Sequence, residues 1–254
     1  MNAIESPHLD LRRLDQPPLD RPQPLPGAAP TQAPLARELS VRELEARKLI
    51  HRDTSSRAST DAFRQIRTRL LALAGEQNVA TLVVPVSPRS GASFVARNLA
   101  AAFALSETMS ALLIDCSVRH PAQQSALGIH ADRGGLMDYL DDPERSIDDI
   151  IYPTGVPRLQ LVPAGHPREL PGEQFSSLRM QALIDSLRSS FQHRYLILDG
   201  PAIEGSPDAR ILSQLVDQVI VVARYGRDTP AVIAAATAQF EAQKMAGVVF
   251  DSAP

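Results

Sequence analysis

The sequence is poor in the residues that stabilise small secreted domains and membrane spans. Its 254 residues include one cysteine and no tryptophan, aromatic residues make up 4%, and no run of eighteen apolar residues occurs. A lone cysteine excludes an intramolecular disulfide, and the lack of a long apolar run predicts that no transmembrane helix forms. Cys116 lies at the end of a predicted buried strand, where we expect a small core residue rather than a reactive thiol.

The charge and histidine patterns exclude further classes. A net charge of −3 gives no general attraction for nucleic acid, and the six histidines are scattered without the spacing of metal ligands. The first five residues lack the pattern of a signal peptide. We therefore expect a cytoplasmic, reduced protein with one sizeable α/β domain and extensions.

The chain is organised around residues 80–100. Thr81–Val84 is a short β-branched and apolar run that predicts a buried strand. The loop 85–91 follows, and a helical pattern begins after it. A strand, a loop and a helix in about twenty residues are the setting of a phosphate-binding loop, in which N–H groups at a helix N-terminus face an anion.

That loop lacks half of the phosphate-binding signature G-x-x-x-x-G-K-[ST]. Gly91 and Ser93 occupy the second glycine and the hydroxyl position, but Val86 replaces the first glycine and Ala92 replaces the lysine. The lysine carries positive charge to the β- and γ-phosphates. The stretch from Ser90 to Ser93 is thus a degenerate nucleotide-binding loop, or Gly91 is only the tight entrance to an ordinary α/β helix.

Two predicted strands end in carboxylates. Residues 109–115 end in Asp115, and residues 195–199 end in Asp199. Residues at the carboxyl ends of parallel strands line the ligand crevice of an open sheet. Asp115 and Asp199 are therefore candidate catalytic groups, and together with Ser93 they are candidate ligands if Mg²⁺ binds.

The rest of the pattern is strand–helix alternation. Further strands are predicted at 159–163, 216–223 and 247–250, with helices at 175–191 and 229–245. Such alternation predicts an α/β fold with a doubly wound, mostly parallel sheet.

The N-terminal part has a different character. Residues 1–36 contain eight prolines and few large apolar side chains, which predicts a disordered tail. Residues 37–78 form a basic helical arm, and residues 79–254 form the main domain. In the arm, Ser40 is a predicted helix N-cap, and Ser59–Asp61 should cap a second helix.

On that second helix Arg64 and Arg67 lie three residues apart and share one face. The face is either a solvated cationic stripe or a surface that meets an acidic patch on another subunit.

Four separated motifs give the chain a family resemblance. Residues 53–251 resemble the cytoplasmic domain of bacterial tyrosine kinases (BY-kinases), the CpsD/CapB-like P-loop ATPases of capsule and exopolysaccharide synthesis. The motifs are Asp61–Arg67, similar to the family's E-x-x-R-x-x-R helix; Ser87–Phe94, similar to S-P-G-E-G-K-S-T; Leu112–Pro121, similar to L-L-I-D-A-D-L-R-R-P; and the Walker B-like strand Leu196–Pro201. The resemblance implies a P-loop NTPase fold, ATP or ADP with Mg²⁺ as ligands, and ring contacts through Asp61, Arg64 and Arg67.

The departures from the family pattern concern the chemistry. Ala92 replaces the lysine, Arg89 a glycine, Phe94 a threonine and Ser117 the second aspartate of the second motif. The family's tyrosine-rich C-terminal tail has no counterpart up to Pro254. Each loss of a charged group is expected to cost on the order of 10²–10³ in rate.

These departures favour a degenerate, pseudokinase-like component of exopolysaccharide biosynthesis or export. It would dock on the cytoplasmic segment of a membrane chain-length determinant, at the inner face of the membrane, and could form homo-oligomers. No nucleic acid partner, membrane insertion or certain cofactor is expected. The alternative is an active ATP-dependent tyrosine autokinase or ATPase, in which the Arg89 guanidinium replaces the lysine. A partition-type ATPase is a third reading, against which the arginine helix argues.

Overall fold

A computed structural model describes residues 37–52, 57–75, 78–189 and 193–251. These residues belong to one unit. The tail predicted to be disordered, residues 1–36, lies outside the described residues. The boundary between arm and main domain, placed at 78/79 from composition, stays a prediction.

A seven-stranded sheet forms the centre of the protein, in the order β3-β4-β2-β5-β1-β6-β7. Every neighbouring pair is parallel except β3 with β4, so the predicted doubly wound, mostly parallel sheet is confirmed. The strands are β1 Ala80–Pro85, β2 Ser110–Asp115, β3 Tyr152–Pro153, β4 Leu159–Val162, β5 Arg194–Asp199, β6 Gln218–Arg224 and β7 Met245–Asp251.

Helices pack on both faces of this sheet. They are α1 Val41–Ala46, α2 Arg57–Ala74, α3 Ala92–Ala104, α4 Gln123–Leu127, α5 Leu136–Asp141, α6 Gly172–Phe175, α7 Leu178–Ser189, α8 Asp208–Ser213 and α9 Pro230–Thr237, with 3₁₀ turns at Ile147–Ile150 and Ala242–Lys244. Among the described residues, no helix has the length and apolar character to cross a membrane.

The strands contribute side chains to two separate hydrophobic cores, because successive side chains of a strand point to opposite faces of the sheet. In β1, Leu82 and Val84 join the core beneath α5 to α9, whereas Val83 joins the core beneath α2, α3 and α4. Strands buried on both faces read as continuous apolar runs, which is why the sequence located β1, β2 and β5 well.

The arm packs on α3. Ser40 and Glu43 form a capping box at the start of α1, as predicted for Ser40. The following backbone is held by one side chain, because Asn98 Oδ1 accepts from the N–H of Ile50 at 2.8 Å and its Nδ2 donates to Lys48 O at 3.0 Å.

Some helix predictions were wrong. Helix α2 includes Arg57, so Ser59–Asp61 lie inside it and do not cap it. The helix predicted at 229–245 ends at Thr237. The 3₁₀ turn Ala242–Lys244 follows, and Met245 begins β7, which pairs with β6. The helix predicted at 175–191 corresponds to α7, which begins at Leu178, while Phe175 ends the preceding helix α6. Ser177 between them donates to Gln174 O and accepts from the N–H of Met180.

Candidate nucleotide and metal site

The loop between β1 and α3 has the backbone shape of a tight turn into a helix. Gly91 is the N-cap of α3 at φ 85°, and Arg89 also lies in the left-handed region at φ 67°. A non-glycine residue there carries strain, because its Cβ crowds the backbone. Ala92 is buried at the first position of α3, Ser90 is buried in the loop, and Ser93 is half-buried.

The carboxylate of Asp228, in the turn after β6, binds this loop. Asp228 accepts hydrogen bonds from Ser87 Oγ at 2.9 Å, Ser90 Oγ at 3.2 Å and the N–H of Arg224 at 2.6 Å. Partial burial raises the pKa of Asp228, but these hydrogen bonds and the nearby Arg227 outweigh it and bring the pKa below its usual range. The hydroxyls of Ser87 and Ser90 therefore donate to a carboxylate of the protein itself.

A second carboxylate lies against the same loop. A Cβ added to Gly91 would stand 2.0 Å from Asp251 Oδ2. Asp251 is the last residue of β7, so the sheet itself carries this side chain to the loop. Two carboxylates thus adjoin a loop whose lysine position holds Ala92.

The two strand-end aspartates predicted from sequence come together. Asp115 and Asp199 are register partners on β2 and β5, and both side chains are fully buried. Asp115 accepts from the backbone N–H groups of Ser117, Ala122 and Gln123 at 3.0 to 3.1 Å.

Gln123 lies between the aspartates and the first turn of α3. Its Nε2 donates to Asp199 Oδ2 at 2.6 Å and to Ser93 O at 2.9 Å, and its Oε1 accepts from Arg97 Nη1 at 3.2 Å. Asp199 Oδ1 has no hydrogen-bond partner within the described part of the chain.

Burial dominates the acid–base behaviour of this pair. It raises the pKa of Asp199 to about 7, and the charge of Asp115 adds to the rise, while Gln123, Ser93 and Arg97 oppose it. Burial also raises the pKa of Asp115, against the backbone N–H groups that stabilise its charged form. Ionising both of two adjacent buried carboxyls is energetically unfavourable, so the pair favours the state in which one proton is bound.

Magnesium and nucleotide fit this site differently. The two carboxylates and the Ser93 hydroxyl are hard oxygen donors of the kind that Mg²⁺ prefers. Three of the four carboxylate oxygens already accept hydrogen bonds, and among the described residues only Asp199 Oδ1 has no donor. A bound Mg²⁺ would neutralise charge on phosphate oxygens. Triphosphate fits poorly, because Ala92 brings no charge, the hydroxyls of Ser87 and Ser90 already donate to Asp228, and Asp251 Oδ2 lies against Gly91.

The three residues predicted for an oligomer interface lie on α2 in different surroundings. Asp61 and Arg64 are exposed and form an ion pair at 3.6 Å. Arg67 is half-buried, and its Nη1 donates to Ala102 O at 2.6 Å on α3 of the same chain. Only Asp61 and Arg64 are therefore directed to solvent.

Sequence reasoning missed four residues of the site. Gln123 donates to both strand-end aspartates and accepts from Arg97, while Asp228 and Asp251 contact the loop. Only Asp251 had a usable signal, because it ends an apolar strand as Asp115 and Asp199 do.

The sheet order, the loop between β1 and α3 and the paired aspartates define a P-loop NTPase fold. The chain is 31% identical over 196 residues to the tyrosine-protein kinase Wzc of Salmonella typhimurium, a match that covers 76% of this chain and 26% of Wzc. It is 28% identical over 172 residues to the tyrosine-protein kinase CpsD of Streptococcus agalactiae, covering 68% of this chain and 72% of CpsD.

The fold is similar to that of the kinase domain of the Escherichia coli tyrosine kinase ETK, with a TM-score of 0.73 and 22% identity over 88% of this chain and 84% of that domain. No family model matches the chain. By sequence and fold together, the chain is a member of the bacterial tyrosine kinase family of P-loop proteins. It spans about a quarter of the length of relatives such as Wzc.

Proposed function

We propose that this chain is a degenerate BY-kinase-like module, a pseudokinase of capsule or exopolysaccharide biosynthesis, that acts by binding other proteins. The observation that carries the proposal is the state of the loop. Ala92 takes the lysine position, the loop hydroxyls of Ser87 and Ser90 donate to Asp228, and the Asp251 carboxylate lies against Gly91. Phosphoryl transfer depends on positioning and on charge neutralisation, so this loop disfavours it.

The partner that we propose is the cytoplasmic segment of a membrane chain-length determinant, which would hold the module at the inner face of the membrane. Similarity to Wzc and CpsD supports this class of partner. Homo-oligomers are proposed through α2, on which Asp61 and Arg64 are exposed. Arg64→Glu should then lower the molar mass measured by light scattering, while an unchanged mass would count against an α2 contact.

A second candidate function is an active ATP-dependent tyrosine autokinase or ATPase. The closeness of Ser93, Asp115 and Asp199 to one another favours it, because their side chains are oxygen donors suited to Mg²⁺. Tyr225 would be the acceptor most open to phosphorylation, since 75% of its surface is exposed while Tyr195 is buried.

Isothermal titration calorimetry with ATP and ADP, with and without Mg²⁺, tests the proposal. The wild-type chain should bind nucleotide weakly, with Kd above about 100 μM, where an intact loop with lysine is expected to bind far more tightly. Ala92→Lys combined with Arg89→Gly restores two of the lost features of the loop, the lysine and a glycine, and should tighten binding by about tenfold or more.

The opposite result would favour the autokinase. Low-micromolar, Mg²⁺-dependent binding by the wild type, lost in Asp199→Ala, would overturn the pseudokinase proposal, as would phosphotyrosine formed on purified chain with ATP. Tyr225→Phe is the control that separates autophosphorylation of this turn from background.

A further inference from the structure

Arg97 is a buried cation in an unusual position. It lies on α3 with 8% of its surface exposed, one turn after Ser93. Its Nη1 donates to Gln123 Oε1 at 3.2 Å and to Ser93 O at 3.5 Å, so its nearest hydrogen-bond acceptors are neutral. A buried charge needs compensation, and the Asp199 carboxylate supplies the electrostatic attraction for this guanidinium.

Gln123 connects the two charges. Its amide oxygen faces the Arg97 guanidinium, and its amide nitrogen donates to Asp199 Oδ2 at 2.6 Å. Its backbone N–H also donates to Asp115 Oδ2 at 3.0 Å. This orientation of the amide is favoured at both ends, since an exchanged oxygen and nitrogen would face a carboxylate and a guanidinium with the wrong polarity.

We propose that Arg97 and Gln123 form an internal relay that supplies the countercharge of the Asp115–Asp199 pair and takes one of the two Asp199 oxygens that a divalent cation would use, while backbone N–H groups take both oxygens of Asp115. The relay lets the chain keep its strand-end site folded without a metal ion. It rests on the proposed function in one respect, namely that the chain works without Mg-nucleotide.

The relay opposes metal binding in two ways. A cation that binds Asp199 Oδ2 would have to displace the Gln123 amide N–H from it, which leaves one buried amide hydrogen to find a new acceptor. It would also stand close to the Arg97 guanidinium in surroundings of low dielectric, where repulsion between like charges is strong. Ser93 and the Asp199 Oδ1 atom alone are a poor ligand set for Mg²⁺.

The test uses the metal alone, without nucleotide. Thermal unfolding is measured in EDTA and in excess Mg²⁺, and Mn²⁺ binding is measured by electron paramagnetic resonance. The wild type should show the same Tm in both solutions and no stoichiometric Mn²⁺ site. The double variant Arg97→Met/Gln123→Ala should melt lower in EDTA, regain about 2–4 °C in Mg²⁺, and bind Mn²⁺ about tenfold or more tightly than the wild type.

Arg194→Met is the matched control. Arg194 is also buried, and its guanidinium also donates to a glutamine amide oxygen, that of Gln160 on the neighbouring strand β4. This variant should lose stability without any dependence on Mg²⁺, which separates the loss of a buried arginine from the loss of the relay.

Two outcomes would overturn the relay. One is a Tm of the wild type that rises in Mg²⁺, or a stoichiometric Mn²⁺ site in the wild type, and this measurement needs no variant to fold. The other is a folded double variant that gains neither stability in Mg²⁺ nor affinity for Mn²⁺. Wild-type chain that binds Mn²⁺ but not ATP contradicts the relay and leaves the pseudokinase proposal standing, whereas nucleotide hydrolysis contradicts the latter.

Discussion

Asp115 and Asp199 face each other across β2 and β5 as register partners, and neither side chain reaches solvent. Their closeness follows from parallel pairing, which brings the carboxyl ends of neighbouring strands to one edge of the sheet. The Arg97 guanidinium is the nearby cation, and the buried Cys116 thiol follows directly after Asp115. Stability must therefore depend on how many protons the pair holds.

Stability should fall as pH rises from about 4 to about 7. Burial raises the pKa of Asp199 to about 7 in the folded chain, against about 3.9 for an unfolded aspartate. In this window the folded state binds more protons than the unfolded state, so the free energy of unfolding decreases with pH. The slope should be on the order of 1 kcal/mol per pH unit, measured by urea unfolding at pH 5, 6 and 7.

Asp199→Asn is the control for this slope, because the amide keeps the shape and cannot titrate. The variant should be less dependent on pH between 5 and 7 and more stable than the wild type at pH 8. An equal slope in both chains would mean that Asp199 titrates normally. Asp228 has the opposite effect on the pH dependence, because its pKa is lowered in the folded chain. The stability that it contributes is present at neutral pH and is lost only as pH falls below about 4.

The sequence located the groups that lie on buried strands. Asp115 and Asp199 could be placed because each ends an apolar run, and parallel pairing then brings strand ends together. Gln123 could not be placed, because it follows a turn and lies 76 residues from Asp199 in the chain. No sequence pattern indicates which groups the Gln123 amide contacts. The same holds for Asp228, which accepts from Ser90, 138 residues away in the chain.

The errors in secondary structure have a related cause. Residues 238–245 have the composition of a helix, yet Met245 pairs with Val219 on β6 and starts an edge strand. Strand β3 has two residues, Tyr152 and Pro153, too few for a period of two to show. Tertiary pairing decides both segments against local propensity.

Gly91→Ala should destabilise the chain more than Gly75→Ala. Both glycines have positive φ, 85° and 64°, so an alanine is strained at either position. At Gly75 a Cβ would meet nothing within 4 Å, whereas at Gly91 it would stand 2.0 Å from Asp251 Oδ2. We expect a loss of about 1 kcal/mol at Gly75 and about 2–4 kcal/mol at Gly91 in urea unfolding.

The double variant Gly91→Ala/Asp251→Ala tests the cause. If the clash with the carboxylate is responsible, the double variant loses less than the sum of the two single changes. Additive losses would instead assign the cost to backbone strain alone and would contradict the packing of Asp251 against the loop.

Arginines from three parts of the chain donate to the carbonyls at the C-terminal end of α3. Arg67 Nη1 donates to Ala102 O at 2.6 Å, and the other two bonds are Arg158 Nε to Ala104 O at 3.2 Å and Arg52 Nη2 to Leu105 O at 3.4 Å. These carbonyls have no partners within the helix and carry the negative end of its dipole. Cations at this end stabilise the fold, so Arg67 has a role inside its own chain.

Arg67→Ala should therefore lower the stability of the monomer, whereas Arg64→Ala should not. Arg67 is half-buried, and its loss leaves Ala102 O without its charged donor, a cost of about 1–2 kcal/mol. Arg64, one turn away, is exposed and pairs with Asp61 in the same helix, so its loss should change stability by less than about 0.5 kcal/mol. Urea unfolding at a concentration where the chain is monomeric by light scattering measures both. Equal effects would mean that the two arginines act alike, as a shared contact surface requires, and would remove Arg67 from the cap of α3.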